Sequence, residues 1–98
     1  MSEQTLKANV MRMLKKEYPL AWVWKISDKF YSGIPDLLIL ISGRALFIEL
    51  KTLEGETTKL QDHTIAEIRK RGIEAHVARS VKEVKEIILK GGNANANT

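Results

Sequence analysis

The sequence lacks cysteine altogether, so neither a disulfide framework nor a metal site built on thiolates is available to it. Long apolar runs are also missing, and the longest one, residues 37–41, is far too short to span a bilayer. The N-terminus does not have the basic segment followed by an apolar one that marks a signal peptide. We therefore expect a cytoplasmic protein.

No internal repeat and no linker-like stretch divides residues 1–90. A chain of 98 residues can sustain a single core, because a domain of this size buries roughly two-thirds of its unfolded surface. Apolar residues make up 44% of the chain and charged residues 29%, which is a globular balance. We predict one domain over residues 1–90 and a disordered tail over residues 91–98, which is rich in glycine, asparagine and alanine.

The formal net charge is +4, and the isoelectric point is about 9.5. A basic excess favours a polyanionic partner, although many proteins without such a partner are equally basic. No helix-turn-helix or zinc-finger pattern is present. Composition alone therefore leaves the partner open.

Hydrophobic periodicity and turn residues predict seven elements of secondary structure. In the first helix, Leu6, Val10 and Met13 recur at three- and four-residue spacing behind an N-cap at Ser2. The predicted elements are a helix over 3–18, strands over 20–26, 37–41 and 44–51, a helix over 59–71, a strand over 73–78 and a helix ending at Lys90. This order, αβββαβα, predicts an α+β domain in which helices flank a mixed β-sheet.

The second and third predicted strands carry an unusual set of charges. If residues 42–43 form a two-residue turn, the hairpin register places Asp36 opposite Glu49. Directly opposed side chains project from the same face, with Cβ atoms roughly 5 Å apart. Lys51 lies two residues beyond Glu49 and shares that face. Three charged groups then converge at the mouth of an apolar hairpin, whereas a three-residue turn would separate them.

Two opposed carboxylates repel each other, and a divalent cation relieves that repulsion. Proteins bind Mg²⁺ or Mn²⁺ through one or two carboxylates and leave other positions for water and phosphate. The pattern therefore indicates a Mg²⁺ or Mn²⁺ site at Asp36 and Glu49, where Lys51 could orient water or neutralise a phosphate. The competing interpretation is a structural salt bridge between Lys51 and one of the two acids.

Several segments together resemble the VRR-NUC family of virus-type replication and repair nucleases, within the PD-(D/E)xK superfamily. They are Gly-Ile-Pro-Asp-Leu over 33–37, Phe-Ile-Glu-Leu-Lys over 47–51, Lys-Leu-Gln over 59–61 and Arg-Gly over 71–72. The resemblance covers nearly the whole chain except the tail, and it implies a restriction-endonuclease-like core. It also implies a metal-dependent phosphodiesterase that leaves 5′-phosphates, with Asp36 and Glu49 as metal ligands and Lys51 as the catalytic lysine.

Similar families often add an acid from the first helix, and Glu3 is the candidate here. Glu3 precedes Leu6 by three residues, so it continues the apolar side of the first helix that faces the core. Alternatively, it is a solvated first-turn glutamate that interacts favourably with the helix dipole. Gln61 precedes Ile65 by four residues, which directs it towards the same site. It also has capping-box spacing from Thr58, and the two roles are compatible. We therefore include Glu3 as a catalytic residue and metal ligand, and Gln61 as a catalytic residue.

Basic and polar side chains near the predicted loop over 27–34 are candidates for contacts to nucleic acid. These candidates are Lys25, Lys29, Tyr31 and Ser32. Charged surface positions are more often simply solvated, so this assignment is a hypothesis.

The resemblance implies a Mg²⁺- or Mn²⁺-dependent endodeoxyribonuclease. We expect it to act on branched DNA, such as Holliday junctions or flaps in replication and repair, because the chain has no room for a sequence-reading module. One alternative is a catalytically inactive nucleic-acid-binding module with the same fold. Another is a protein-interaction domain with an incidental salt bridge. The intact Asp36, Glu49 and Lys51 favour the nuclease.

Stand-alone members of similar families commonly act as homodimers, so the resemblance implies a homodimer. Trp22 and Trp24 alternate along the first strand and add a large apolar surface in support. Core packing is the expected role of both indoles, with base stacking as the lesser alternative. The resemblance also suggests a phage origin, in which case the protein would act in the host cytoplasm.

Overall fold

The computed structural model describes residues 1–27 and 30–96, and for residues 91–96 it describes the backbone alone. Within this part of the chain there are three helices and four strands. In chain order they are α1 (Glu3–Glu17), β1 (Trp22–Lys25), β2 (Leu37–Ile41), β3 (Arg44–Leu50), α2 (Lys59–Lys70), β4 (Glu74–Ala78) and α3 (Val81–Ala96). The predicted order of elements and the α+β class are confirmed.

Most element boundaries lie within one or two residues of the predictions. The Ser2 hydroxyl caps α1 by accepting a 3.1 Å hydrogen bond from the Thr5 N–H. The last helix continues to Ala96, whereas we predicted its end at Lys90. The predicted domain limits and the predicted disorder of residues 91–98 remain predictions, and residues 97–98 lie outside the described part.

The four strands form one mixed sheet in the order β1-β2-β3-β4. Neighbouring strands run antiparallel except β3 and β4, which are parallel and are connected through α2. The β2–β3 turn has positive φ at both central residues, 48° at Ser42 and 76° at Gly43. Two successive positive φ values are typical of the type I′ turn that joins hairpin strands through two residues. The predicted two-residue turn is therefore confirmed.

The main core lies between one face of the sheet and the pair of helices α1 and α3. Apolar side chains at alternate positions of β2 and β3 point to this face, as the two-residue period of a strand requires. The largest fully buried ones include Leu37, Ile39, Leu46, Ile48 and Leu50 of the sheet, and Leu6, Val10, Leu14 and Val84 of the helices. The core therefore holds the two hairpin strands and α1 in one rigid arrangement.

Helix α2 packs on β4. Its buried Ile65 and the buried Ala75 of β4 lie outside the main core cluster, since Ala75 points away from Ala78. This packing brings the first turn of α2 next to the C-terminal end of β3.

Helix α2 lies on the face of the sheet opposite the main core, and at β1 and β2 none of the described helices covers this face. Trp22 is 66% exposed and Trp24 is 59% exposed, and their rings stack with centroids 6.0 Å apart. Our expectation of core packing for the two tryptophans is therefore wrong. The helices that form the core lie on the opposite face, so the intervening Val23 packs against the core instead. We call Trp22, Trp24, Leu38 and Leu40 the tryptophan face.

No helix in the described part of the chain is long and apolar enough to cross a membrane.

Candidate active site

The hairpin register brings the two predicted acids together. Leu37 pairs with Ile48, so Asp36, directly before β2, lies beside Glu49 of β3. Oδ2 of Asp36 accepts a 2.8 Å hydrogen bond from the backbone N–H of Leu50. This bond ties the Asp36 carboxylate to the neighbouring strand and fixes its orientation.

A residue that the sequence analysis did not select provides the second partner of Asp36. Nζ of Lys7, on α1, lies 2.9 Å from Oδ1 of Asp36. The sequence did contain a signal for Lys7, because Lys7 follows Glu3 by four residues and such positions are neighbours on one side of a helix. It was missed because the sequence alone does not show how α1 is docked against the hairpin.

Glu49 is almost completely enclosed, with 3% of its surface exposed. Nε2 of Gln61 donates a 3.2 Å hydrogen bond to its Oε2. The other end of the same amide, Oε1, accepts a 2.9 Å hydrogen bond from the Thr58 N–H and completes the capping box of α2. One side chain thus caps a helix and contacts the buried acid, as the sequence analysis anticipated.

Lys51 follows the last residue of β3, and its backbone N–H donates to the carbonyl of Ala78 at 3.1 Å. Its Nζ lies 3.8 Å from Oε2 of Glu49 and 3.7 Å from Oε1 of Glu3. Both distances are near the upper limit for an ion pair, so the ammonium is shared between two carboxylates. Glu3 therefore does reach this region from the first turn of α1.

Together, Glu3, Lys7, Asp36, Glu49 and Lys51 form what we call the charged cluster. Burial raises the pKa of Glu49 from 4.5 to about 7. The negative charges of Asp36 and Glu3 also raise this pKa, whereas the positive charges of Lys51 and Lys7 lower it. The hydrogen bond to Asp36 raises the pKa of Lys7. The buried carboxylate is therefore inadequately compensated by the two lysines alone.

This electrostatic deficit fits a divalent cation. Asp36 and Glu49 offer hard oxygen donors, and Mg²⁺ commonly uses one or two carboxylates with water filling the other positions. The described residues contain no group of three or more histidine, cysteine, aspartate or glutamate side chains arranged to hold a metal. Asp36 and Glu49 are the residues that would hold such a cation, and Glu3 as a third ligand remains a prediction.

Three of the four residues predicted to contact nucleic acid lie at the end of β1 and in the loop that precedes β2. Lys25, Tyr31 and Ser32 are exposed, and Lys29 lies outside the described residues. The hydroxyl of Thr64 on α2 donates to the Tyr31 hydroxyl at 3.3 Å, which connects this loop to α2. The structure thus leaves these three side chains accessible, while their contact with nucleic acid remains a prediction.

Comparisons with known proteins agree with this geometry. The VRR-NUC domain family matches residues 1–82. A solved structure described as a VRR_NUC domain is 30% identical, with a TM-score of 0.68, over 83% of this chain and 91% of that one. A second, described as a VRR_NUC domain protein, is 25% identical, with a TM-score of 0.78, over 92% of this chain and 87% of the other. No curated protein sequence matches the chain significantly.

Proposed function

The chain belongs to the VRR-NUC family of nuclease domains, and from that premise we propose that it is a Mg²⁺- or Mn²⁺-dependent endodeoxyribonuclease. The observation that carries the proposal is the position of Glu49. Its carboxylate is buried beside Asp36, and burial raises its pKa to about 7, a perturbation that is concentrated at functional sites. Lys51, whose Nζ lies 3.8 Å from Glu49, supplies a cationic group for phosphodiester hydrolysis.

Each side chain of the cluster has a defined role in this proposal. Asp36 and Glu49 hold the metal, and Glu3 adds a carboxylate from α1. When bound, a divalent cation neutralises charge on the phosphate and makes water more acidic. Lys51 orients the attacking water and stabilises negative charge on the phosphate oxygens. Gln61 keeps the Glu49 carboxylate in place through its 3.2 Å hydrogen bond.

We further propose that the substrate is branched DNA, such as a Holliday junction or a flap formed in replication and repair. The sequence contains no helix-turn-helix or zinc-finger pattern that would read base sequence. DNA shape is then the remaining basis for selection. Lys25, Lys29, Tyr31 and Ser32 are the proposed contacts, and they precede Asp36 by 4 to 11 residues in the sequence.

The tryptophan face is the proposed interface of a homodimer. Two exposed tryptophans on one face of a strand are unusual on a monomer, and aromatic residues are enriched in protein interfaces. A dimer would bring two charged clusters into one particle, which suits cleavage of both strands of a junction. A phage origin and action in the host cytoplasm complete the proposal by family resemblance alone.

The decisive experiment is cleavage of labelled four-way junction, flap and linear duplex DNA with Mg²⁺ or Mn²⁺. We expect Asp36→Ala and Lys51→Ala to lose about a hundredfold or more of the activity, since each removes a group that stabilises the transition state. Glu17→Ala and Lys85→Ala are matched controls, because these residues form an exposed ion pair at 2.9 Å between α1 and α3. Both controls should cut like the wild type.

Two results would contradict the proposal. Junction binding without cleavage in either metal would favour the inactive binding module. Absence of both binding and cleavage would exclude a role on DNA. Equal cutting of linear duplex and branched substrates would contradict only the selectivity for DNA shape.

A further inference from the structure

Asp36 is held by two donors of different kinds. Its Oδ2 accepts the Leu50 backbone N–H at 2.8 Å, and this donor cannot leave without opening the sheet. Its Oδ1 contacts Nζ of Lys7 at 2.9 Å, and a lysine side chain can leave by changing its rotamers. Oδ1 is therefore the oxygen that Asp36 can transfer from Lys7 to another cation without loss of the hairpin.

The two lysines of the charged cluster differ in how they are held. Lys51 is only 12% exposed and lies 3.7–3.8 Å from its two carboxylates, so its ammonium is enclosed and shared. Lys7 is 40% exposed and makes one close contact, to Asp36. Lys7 thus has both the space to move and a single partner to leave.

Building on the nuclease function proposed above, we propose that Lys7 occupies the metal position on Asp36 in the metal-free protein. Lys7 leaves Oδ1 when a divalent cation binds there, because the two positive charges repel at one oxygen. The freed ammonium then contacts a phosphate of the DNA, where a lysine acts as a point charge. Lys7 thus makes metal binding and DNA binding depend on each other.

The first consequence concerns metal affinity without DNA. Lys7→Met removes the competing charge but keeps a similar apolar stem. We expect its affinity for Mn²⁺, measured by isothermal titration calorimetry, to exceed that of the wild type by about three- to tenfold. This range corresponds to one charge-assisted hydrogen bond, reduced for partial exposure. Lys7→Arg keeps the charge and should retain an affinity close to that of the wild type.

Lys85→Met is the matched control for this titration. Lys85 is 38% exposed and also contacts one carboxylate at 2.9 Å, that of Glu17, outside the charged cluster. Its replacement should leave the Mn²⁺ affinity unchanged. Thermal unfolding of each variant in a chelator will establish that the proteins compared are folded.

The second consequence concerns DNA. In a Lys51→Ala background, which prevents cleavage, Mn²⁺ should strengthen junction binding as measured by fluorescence anisotropy. Adding Lys7→Met should reduce that strengthening by up to the three- to tenfold factor by which it raises metal affinity, because no ammonium is then released to contact the DNA.

The outcomes separate this inference from the proposed function. Mn²⁺ binding of equal strength in the wild type and in Lys7→Met would overturn the role of Lys7 alone. Weaker binding in Lys7→Met would also overturn it, since Lys7 would then be holding Asp36 ready for the metal. Absence of Mn²⁺ binding in every variant would refute the proposed metal-dependent nuclease itself.

Discussion

The backbone N–H of Leu50 donates a 2.8 Å hydrogen bond to the Asp36 carboxylate, so one strand of the hairpin orients the acid carried by the other. The same strand carries Glu49, one residue earlier, and leads directly into Lys51. Three groups of the charged cluster are thus positioned by a single register. A shift of that register by one residue would reverse the face of every side chain in β3.

Glu49→Gln should stabilise the metal-free protein above neutral pH. The pKa of Glu49 is raised in the folded protein from 4.5 to about 7, so the folded state retains this proton over a range in which the unfolded chain loses it. Stability therefore falls as pH rises from about 4.5 to about 7, by up to roughly 3 kcal/mol at 1.36 kcal/mol per unit. Glutamine removes this loss.

Urea unfolding in a chelator checks that expectation. The stability difference between Glu49→Gln and the wild type should be near zero at about pH 4 and reach its maximum at about pH 8. The pKa of Glu74 is lowered by its hydrogen bond to Arg44, so its contribution is lost only as pH falls below 4.5 and does not interfere. A difference that is constant with pH would show that Glu49 titrates normally.

The two roles of Gln61 can be separated by comparing Gln61→Ala with Thr58→Ala. Each removes one half of the capping box, so each should cost about 1 kcal/mol in the free energy of unfolding. Only Gln61→Ala also removes the contact to Glu49, so it alone should lower nuclease activity, by about 10- to 100-fold. Equal activity of the two variants would mean that Gln61 only caps the helix.

Gly33→Ala should destabilise the protein by about 1–3 kcal/mol, as overpacking of a tight contact does. A Cβ at this position would lie 2.6 Å from Cγ of Leu60 and 2.9 Å from Oγ1 of Thr64, so the loop before Asp36 would be forced away from α2. Gly55→Ala is the milder comparison, because its nearest contact would be 3.2 Å, to the side-chain Oγ1 of Thr52. Thermal unfolding of both variants tests this; similar melting temperatures would contradict it.

Arg44→Met should cost roughly 3 kcal/mol, because it leaves the half-buried Glu74 carboxylate without its buried cationic partner. The Arg44 guanidinium binds both Glu74 oxygens at 2.8 and 2.9 Å and donates to the carbonyl of Ile88 at 2.6 Å. Glu67→Gln alters an exposed pair and should change the denaturation midpoint little. Chemical denaturation of both variants measures their free energies of unfolding. Equal losses would show that the Arg44–Glu74 pair stabilises the protein no more than an exposed ion pair does.

The tryptophan face can be tested by the double variant Trp22→Lys/Trp24→Lys. If the homodimer forms through this face, like charges placed across the interface should convert it to a monomer in light scattering. Leu53→Lys and Leu89→Lys change exposed apolar residues elsewhere, 80% and 60% exposed, and should leave the mass unchanged. A wild type that is already monomeric at working concentrations would contradict the proposed dimer.

Much of the fold and of the charged cluster was accessible from local patterns. Helix periods, the capping box at Thr58 and the Ser42-Gly43 turn are set by residues close in sequence, and they predicted the element order correctly. Because strand register follows from the turn, the position of Asp36 next to Glu49 was also predictable. The bifunctional Gln61 followed from its spacing, since a cap at the start of α2 faces the end of the sheet.

The sequence by itself determined the elements, the hairpin register and the three groups that this register brings together, because these depend on contacts between neighbours along the chain. Only the tertiary structure decided which faces are covered and which cation reaches Asp36. The exposure of Trp22 and Trp24 depends on where the helices dock, and the Lys7 contact depends on how α1 lies across the hairpin. Both follow from long-range packing, which local spacing does not encode.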